Sequence, residues 1–453
     1  MTSPVSALFP APYPAAERQS WRAIAAGLRN NALAGFPAGA FEEMAVARSF
    51  AGRTQIILND PAAIRHVLIE NAENYRRTAS VSRLLRPVIG DGLFLADGEA
   101  WRGQRRAAAP AFAPRVVPTI AAHVARSADR LIGELWGSGA VAIELFPRLQ
   151  LLALEIAAAA LFSLDIGDAG PGLRAEMQGY ADGIGRPTML DFLLPRGWPT
   201  PRSWARWRFR RRWMVRIRQV LAARNVAPRP QVPRDLFDMM AAGGTSDEQL
   251  MQQSATMLAA GHETTAVALF WSLYLAASVP AAQERIAAEA AALDLSPAGA
   301  AAALPQLAYT RAVVDEALRL YPPAFSLVRQ ARASDAAAGI AIPSRAAVLI
   351  VPWVLHRHRR LWRDPDRFEP GRFLPDADPP ERFSYLPFGA GPRACIGAQF
   401  ALTETVLVLA RLLQVFRIEL ADDRPVLPVA AITLQPDRSP TFRLQRRVTI
   451  VQK

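Results

Sequence analysis

Cysteine is almost missing from this chain: Cys395 is the only one in 453 residues. One thiol closes no internal disulfide and has no companions for a zinc or iron–sulfur site. Histidine is scarce too, and His66, His123, His262, His356 and His358 form no acid-assisted zinc pattern. Lysine is rarer still. Lys453 stands alone, so the formal charge of +13 comes almost wholly from arginine. That bias fits a GC-rich genome better than recognition chemistry. No repeat is evident, and no dinucleotide-binding glycine fingerprint or flavin module follows Gly397. The first ten residues, Met1 to Pro10, lack a positive start and an unbroken apolar run. Neither a signal peptide nor a membrane anchor is expected there, and the expected state is a soluble cytoplasmic protein.

What is present is apolar and helical. Hydrophobic residues make up 51% against 21% charged, enough to bury a substantial core. The 37 prolines are scattered rather than clustered. Strand-like runs are few: 54–58, 347–351 and 431–434. The expected fold class is mainly α with a small β region, as a single large domain over 41–453 behind a partly irregular segment 1–40. Residues 193–202 read as a loop between helices. The sharpest basic run follows, where Trp204 to Arg218 interleaves arginine with tryptophan. Such a run suits RNA or a membrane surface. It equally suits an amphipathic helix with its apolar side on the core and its arginines in water. The helix is the preferred reading, and no nucleic-acid partner is expected.

Cys395 sits in Phe388-Gly389-Ala390-Gly391-Pro392-Arg393-Ala394-Cys395-Ile396-Gly397. A lone soft thiolate suits a metal that already has its other ligands, as haem iron does. Gly389, Gly391 and Gly397 allow sharp turns and close approach to a flat group. An apolar helical stretch follows Gly397, so the thiol lies near a helix N-terminus, where the dipole favours a thiolate. Arg393 is placed to pair with an acid such as a haem propionate. A buried structural cysteine ahead of a core helix fits the same residues, and the loop alone leaves both open. Elsewhere, Glu316 and Arg319 share a face of a helix that starts near Thr310 and ends before Pro322. A second candidate helix runs from about Ser246 to Val279, roughly 50 Å long. Its centre, Ala260-Gly261-His262-Glu263-Thr264-Thr265, is polar and weakly helical, which marks function or a bend.

Together these segments resemble the cytochrome P-450 family. The Cys395 loop matches that family's F-x-x-G-x-R-x-C-x-G at Phe388, Gly391, Arg393, Cys395 and Gly397. Glu316-Ala317-Leu318-Arg319 resembles its E-x-x-R, and Phe368-Glu369-Pro370-Gly371-Arg372-Phe373 resembles its P-E-R-F, with Gly371 in place of the usual acid. The resemblance implies the P-450 fold, with haem b (iron protoporphyrin IX) and Cys395 as its axial iron ligand. It implies that Glu316, Arg319 and Arg372 form a structural triad. It also implies that Glu263 and Thr264 manage protons and dioxygen, with Gly261 thinning the helix for a small ligand. Trp101, Arg105, Arg393 and Arg329 are implied to hold the haem, with Arg332 as runner-up to Arg329. Phe94, Ala259, Ala260, Phe325, Ser326 and Leu327 are implied near the substrate.

The function so implied is that of a monooxygenase placing one atom of O2 into a small apolar substrate. Electrons would come from a separate ferredoxin or flavodoxin with its reductase, whose acidic surface a basic protein would attract. A bacterial, cytoplasmic monomer is expected. A peroxide-driven oxygenase of the same fold and a non-catalytic haem sensor remain as alternatives.

Overall fold

Capping decides where the longest helix begins. The Ser246 hydroxyl accepts from the Gln249 N–H, Asp247 and Glu248 occupy the first turn, and Pro280 opens the next helix. The computed structural model describes residues 7–9, 11, 27, 30–50, 52–137, 142–195, 197–222, 235–242 and 245–447. The helices that position the site are α1 (Gly98–Ala108), α2 (Val117–Gly137), α3 (Phe146–Phe162), α4 (Ser203–Ala222), α5 (Asp247–Ser278), α6 (Ala308–Leu320) and α7 (Ala398–Val415). The expected helices at 246–279 and 310–321 are therefore present, and the 193–202 stretch joins a short helix, Met189–Leu193, to α4.

Helix α5 runs through the middle of the molecule, unbroken across Gly261 and Thr264–Thr265. Residues 265–276 of its C-terminal half, including Phe270 and Trp271, are all buried, so packing overrides the weak helix formers at its centre. It packs on α3, α6 and α7, and α7 packs on α2. Among the described residues, α7 alone is by itself long and apolar enough to cross a bilayer, yet most of it lies in the core.

The β region centres on one sheet of five strands: β1 (Ala45–Phe50), β2 (Arg53–Leu58), β3 (Tyr75–Arg76), β4 (Leu327–Ala331) and β5 (Ala347–Ile350). Their order is β1-β2-β5-β4-β3, with only β2 and β5 parallel. The strand runs at 54–58 and 347–351 fall on β2 and β5. The run at 431–434 does not form one strand. Pro428–Ala430 and Leu434–Pro436 pair antiparallel, and 431–433 is the turn between them. The Asn31 side chain holds that hairpin, donating to the Pro428 carbonyl at 2.9 Å and accepting from the Ala430 N–H at 3.0 Å. Its β-branched tip residue Ile432 faces a cavity instead of a neighbouring strand.

Candidate active site

The loop from Phe388 to Gly397 is pinned by its own backbone. The Cys395 N–H donates to the Phe388 carbonyl at 2.9 Å, and the Ala394 N–H to that of Gly391 at 3.0 Å. Gly389 and Gly391 have φ of +67° and +71°, a region that side chains disfavour. A Cβ on Gly391 would stand 2.1 Å from the Leu68 carbonyl oxygen. At Gly391 the glycine therefore serves a turn and a backbone crossing, where approach to a flat ligand was expected.

Cys395 opens onto a cavity of about 560 Å³. Burial pushes its thiol up more than the Gly397 N–H and the Arg105 guanidinium pull it down. The walls around it are mostly apolar and include Trp101, Phe112, Phe388 and Phe400. Among the described residues no carboxylate lines this cavity, whereas Arg48, Arg77, Arg105, Arg329 and Arg393 do.

The arginines near Cys395 are held individually. Arg105 donates to the Ala394 carbonyl at 3.0 Å. Arg393 donates to the Ala96 carbonyl and to Asp97 at 2.8 Å, and stacks over Trp101 at 4.3 Å. Arg329, on β4, uses the Val328 carbonyl at 3.1 Å; burial and nearby Arg393 bring its pKa down to about 10. Arg332 sits just past β4, away from the cavity wall. Arg77 was not singled out from the sequence. Burial, with Arg329 and Arg393 close, brings it down to about 9, and its Nε has no partner. The only signal for Arg77 was its place just before a capping threonine, Thr78, which an arginine-rich chain hides.

These groups fit haem. A thiol, a largely apolar chamber and a cluster of guanidiniums short of acids suit a flat, iron-bearing macrocycle with two carboxylates. Cys395 would hold the metal, and Arg77, Arg105, Arg329, Arg393 and Trp101 the carboxylates.

Helix α5 lines the same cavity with Thr256, Met257, Ala260, Gly261, Thr264, Thr265 and Ala268, a stripe at helical spacing. Thr264 donates back to the Ala260 carbonyl at 2.6 Å. Successive residues turn by about 100° on a helix, so Ala259 and Glu263 fall on the neighbouring stripe. Neither lines the cavity. Ala259 is packed in the core. Glu263 Oε1 instead accepts from the Thr433 hydroxyl at 2.7 Å and from the Gln435 amide. A Cβ on Gly261 would meet Ala157 of α3 at an ordinary 3.7 Å, so the thinning at this residue lies toward α3. Phe94, Ala260, Phe325, Ser326 and Leu327 all line the cavity.

Behind the loop lies the Glu316–Arg319 pair, both side chains fully buried. It is bidentate, at 2.7 and 2.8 Å. Arg319 also donates to the carbonyls of His356, Pro365 and Arg367 at 2.7–2.8 Å. Glu316 accepts the Glu369 N–H at 2.8 Å and lies 3.6 Å from the Arg372 Nε, while Arg372 pairs with Glu369 at 2.9 Å. Every donor of the inner arginine is used, which is what keeps a buried charge tolerable. His356 was not anticipated. Its Nε2 accepts the Leu386 N–H at 2.8 Å, so Nδ1 carries the proton and lies 3.3 Å from the Arg319 carbonyl. It ties the triad to the segment entering the Cys395 loop.

Comparison with known proteins converges on one family. The cytochrome P-450 family model matches residues 45–439. Cytochrome P-450 97B2, chloroplastic, of Glycine max is 30% identical, covering 88% of this chain and 80% of its own. Cyclooctatin synthase of Streptomyces melanosporofaciens is 33% identical over 77% of each chain. Cyclooctat-9-en-7-ol 5-monooxygenase of the same organism is 32% identical over 79% of each. With that match spanning the cavity, the cysteine loop and the buried triad alike, the chain belongs to the cytochrome P-450 family, whose haem-thiolate iron makes it a monooxygenase.

Proposed function

We propose that this enzyme oxidises a small, largely apolar compound bound between α5 and the Cys395 loop, with haem b as cofactor. The carrying observation is the single cavity wall shared by Cys395, Thr264 and the apolar residues Phe94, Phe325 and Leu327. The haem-thiolate iron supplies O2 activation when bound, and overall one oxygen atom enters the substrate while two electrons and two protons carry the other to water. The chain's own residues do the rest. Apolar walls bind the substrate and exclude water. Thr264 keeps a hydroxyl at the cavity wall, held by the Ala260 carbonyl, where it would hold and pass a proton at its Oγ1. Glu263 supplies protons after leaving Thr433 and Gln435. One relative's name specifies an unsaturated cyclic alcohol, and a compound of that polarity suits a mostly apolar cavity wall. Electrons come from a separate ferredoxin or flavodoxin and its reductase, in a bacterial cytoplasm.

A second reading, peroxide-driven oxidation, is favoured by one observation: Glu263 is held off the cavity by two hydrogen bonds. Product per electron separates the two. With a reductase-linked donor, Thr264→Ala is expected to lower that yield by roughly tenfold or more, the balance appearing as hydrogen peroxide. Unchanged yield in Thr264→Ala and in Glu263→Gln, or turnover with peroxide alone, contradicts the donor-driven reading.

A further inference from the structure

Leu68, which Gly391 crosses, sits on an unusual turn. After the short helix Pro61–Arg65 the chain widens over His66–Glu70, and the Asn71 N–H reaches the His66 carbonyl, five residues back, at 2.9 Å. Wide turns of this π type are rare and frequent at functional sites. This one is fastened from a hairpin some 260 residues further along the chain.

Asp335 begins that hairpin, in which Asp335–Ala337 pairs with Ile340–Ile342. Its Oδ2 accepts from His66 Nε2 at 3.0 Å, from the Asn71 amide at 2.9 Å and from the Tyr75 hydroxyl at 2.7 Å, while Oδ1 accepts the Ala336 N–H at 2.8 Å. His66 and Asn71 are the two ends of the wide turn, so one carboxylate oxygen ties both. Glu70 lies 3.3 Å from His66 Nδ1 and 3.1 Å from Arg65 Nε. Burial alone would raise the Asp335 pKa; the four hydrogen bonds outweigh it and bring it down to about 2.

The turn and the Cys395 loop are in direct contact. A Cβ on Gly391 would meet Ile69 Cγ1 at 3.1 Å as well as the Leu68 carbonyl, so backbone lies on backbone and a shift of one passes to the other. Val67, Leu68 and Tyr75 are also buried with Leu386 in a small apolar cluster apart from the main core, and Ala390 packs against it. A small cluster clasped by one carboxylate can open without the whole molecule.

We propose that Asp335 is a positioning residue for the Cys395 ligand. It clamps the turn that seats the Gly391 end of the loop and thereby holds the sulfur where iron meets it. The effect on the sulfur rests on Cys395 being the iron ligand; the coupling of turn to loop does not.

Two readouts test this. In the reduced, haem-loaded protein under carbon monoxide, Asp335→Ala should speed loss of the thiolate–iron–carbonyl band in mild urea roughly ten- to hundredfold, the size set by hydrogen bonds to a charge. The urea midpoint followed by far-ultraviolet circular dichroism should hardly move. Asp335→Asn, which keeps one acceptor oxygen, should fall between Asp335→Ala and the parent. Tyr75→Phe, which removes one hydrogen bond and keeps the ring, should speed the loss about tenfold and carries the test if Asp335→Ala fails to load haem. In the same variants, amide hydrogen exchange should rise together at 66–71 and 388–397 while α5 stays protected. A band lost no faster, a dichroism midpoint that falls in step with it, or exchange that rises at 66–71 alone would overturn the proposal. A parent protein without the band fails the Cys395 assignment itself, and the exchange arm, which needs no iron, still decides whether turn and loop move as one.

Discussion

Arg77 is a cation at the cavity wall, suited to an anionic group. Its Nε is buried without a partner, and Arg329 and Arg393 crowd it. In the haem-free protein that crowding is a cost; beside a propionate it becomes a charge-assisted hydrogen bond, worth about 1.5–3 kcal/mol. Arg77→Leu is therefore expected to leave the melting temperature of the haem-free protein unchanged or higher. In the haem-loaded protein it should speed haem loss to an apoglobin acceptor roughly ten- to hundredfold. Slower or unaltered loss would remove Arg77 from the cofactor site. Glu263 teaches a different lesson at the same scale. Adjacent residues on a helix point apart, so sharing a motif with Thr264 does not make them share a cavity.

At the scale of elements, the triad and His356 form one buried unit linking α6, the segment after β5 and the approach to the Cys395 loop. Burial, reinforced by the neighbouring Arg319, brings the His356 pKa down to about 3, against about 6.5 in an unfolded chain. Below pH 6.5 the unfolded chain takes up a proton that the folded one refuses. Stability from this residue is thus complete above about 6.5 and drains away as pH falls toward 3, on the order of 5 kcal/mol in all. His356→Gln, which keeps an acceptor for the Leu386 N–H, should flatten the fall of melting temperature across this range. An identical slope in both proteins would rule the mechanism out.

Elements also show what could be read in advance. Helix α5 was legible because its cap, length and terminating proline are local. Strands β2 and β5 were legible because each is a short run rich in β-branched and other apolar residues. The hairpin at 428–436 was not, since Ile432 and Thr433 look like strand residues while serving as a tip. Thr433 and Gln435 could not be foreseen as partners of Glu263, because they lie about 170 residues away in sequence. The Glu316–Arg319 pair was legible from helical spacing, but the carbonyls that use up the arginine's remaining donors were not.

Over the whole molecule, several helices, one loop and a small sheet bring residues from 32 to 432 around one chamber. Its walls are mostly apolar, its charges cationic, and its lone thiol sits on a turn where Gly391 crosses close to Leu68. The apolar walls, the guanidiniums and the thiol fit iron bound through sulfur. The most direct test is the absorption spectrum of the reduced, haem-loaded protein under carbon monoxide, compared with Cys395→Ala reconstituted with the same haem. The expected result is the red-shifted band of a thiolate–iron–carbonyl in the parent protein, and in Cys395→Ala its replacement by the spectrum of a haem lacking that ligand. A parent protein without the band, or a Cys395→Ala variant that retains it, would contradict the account.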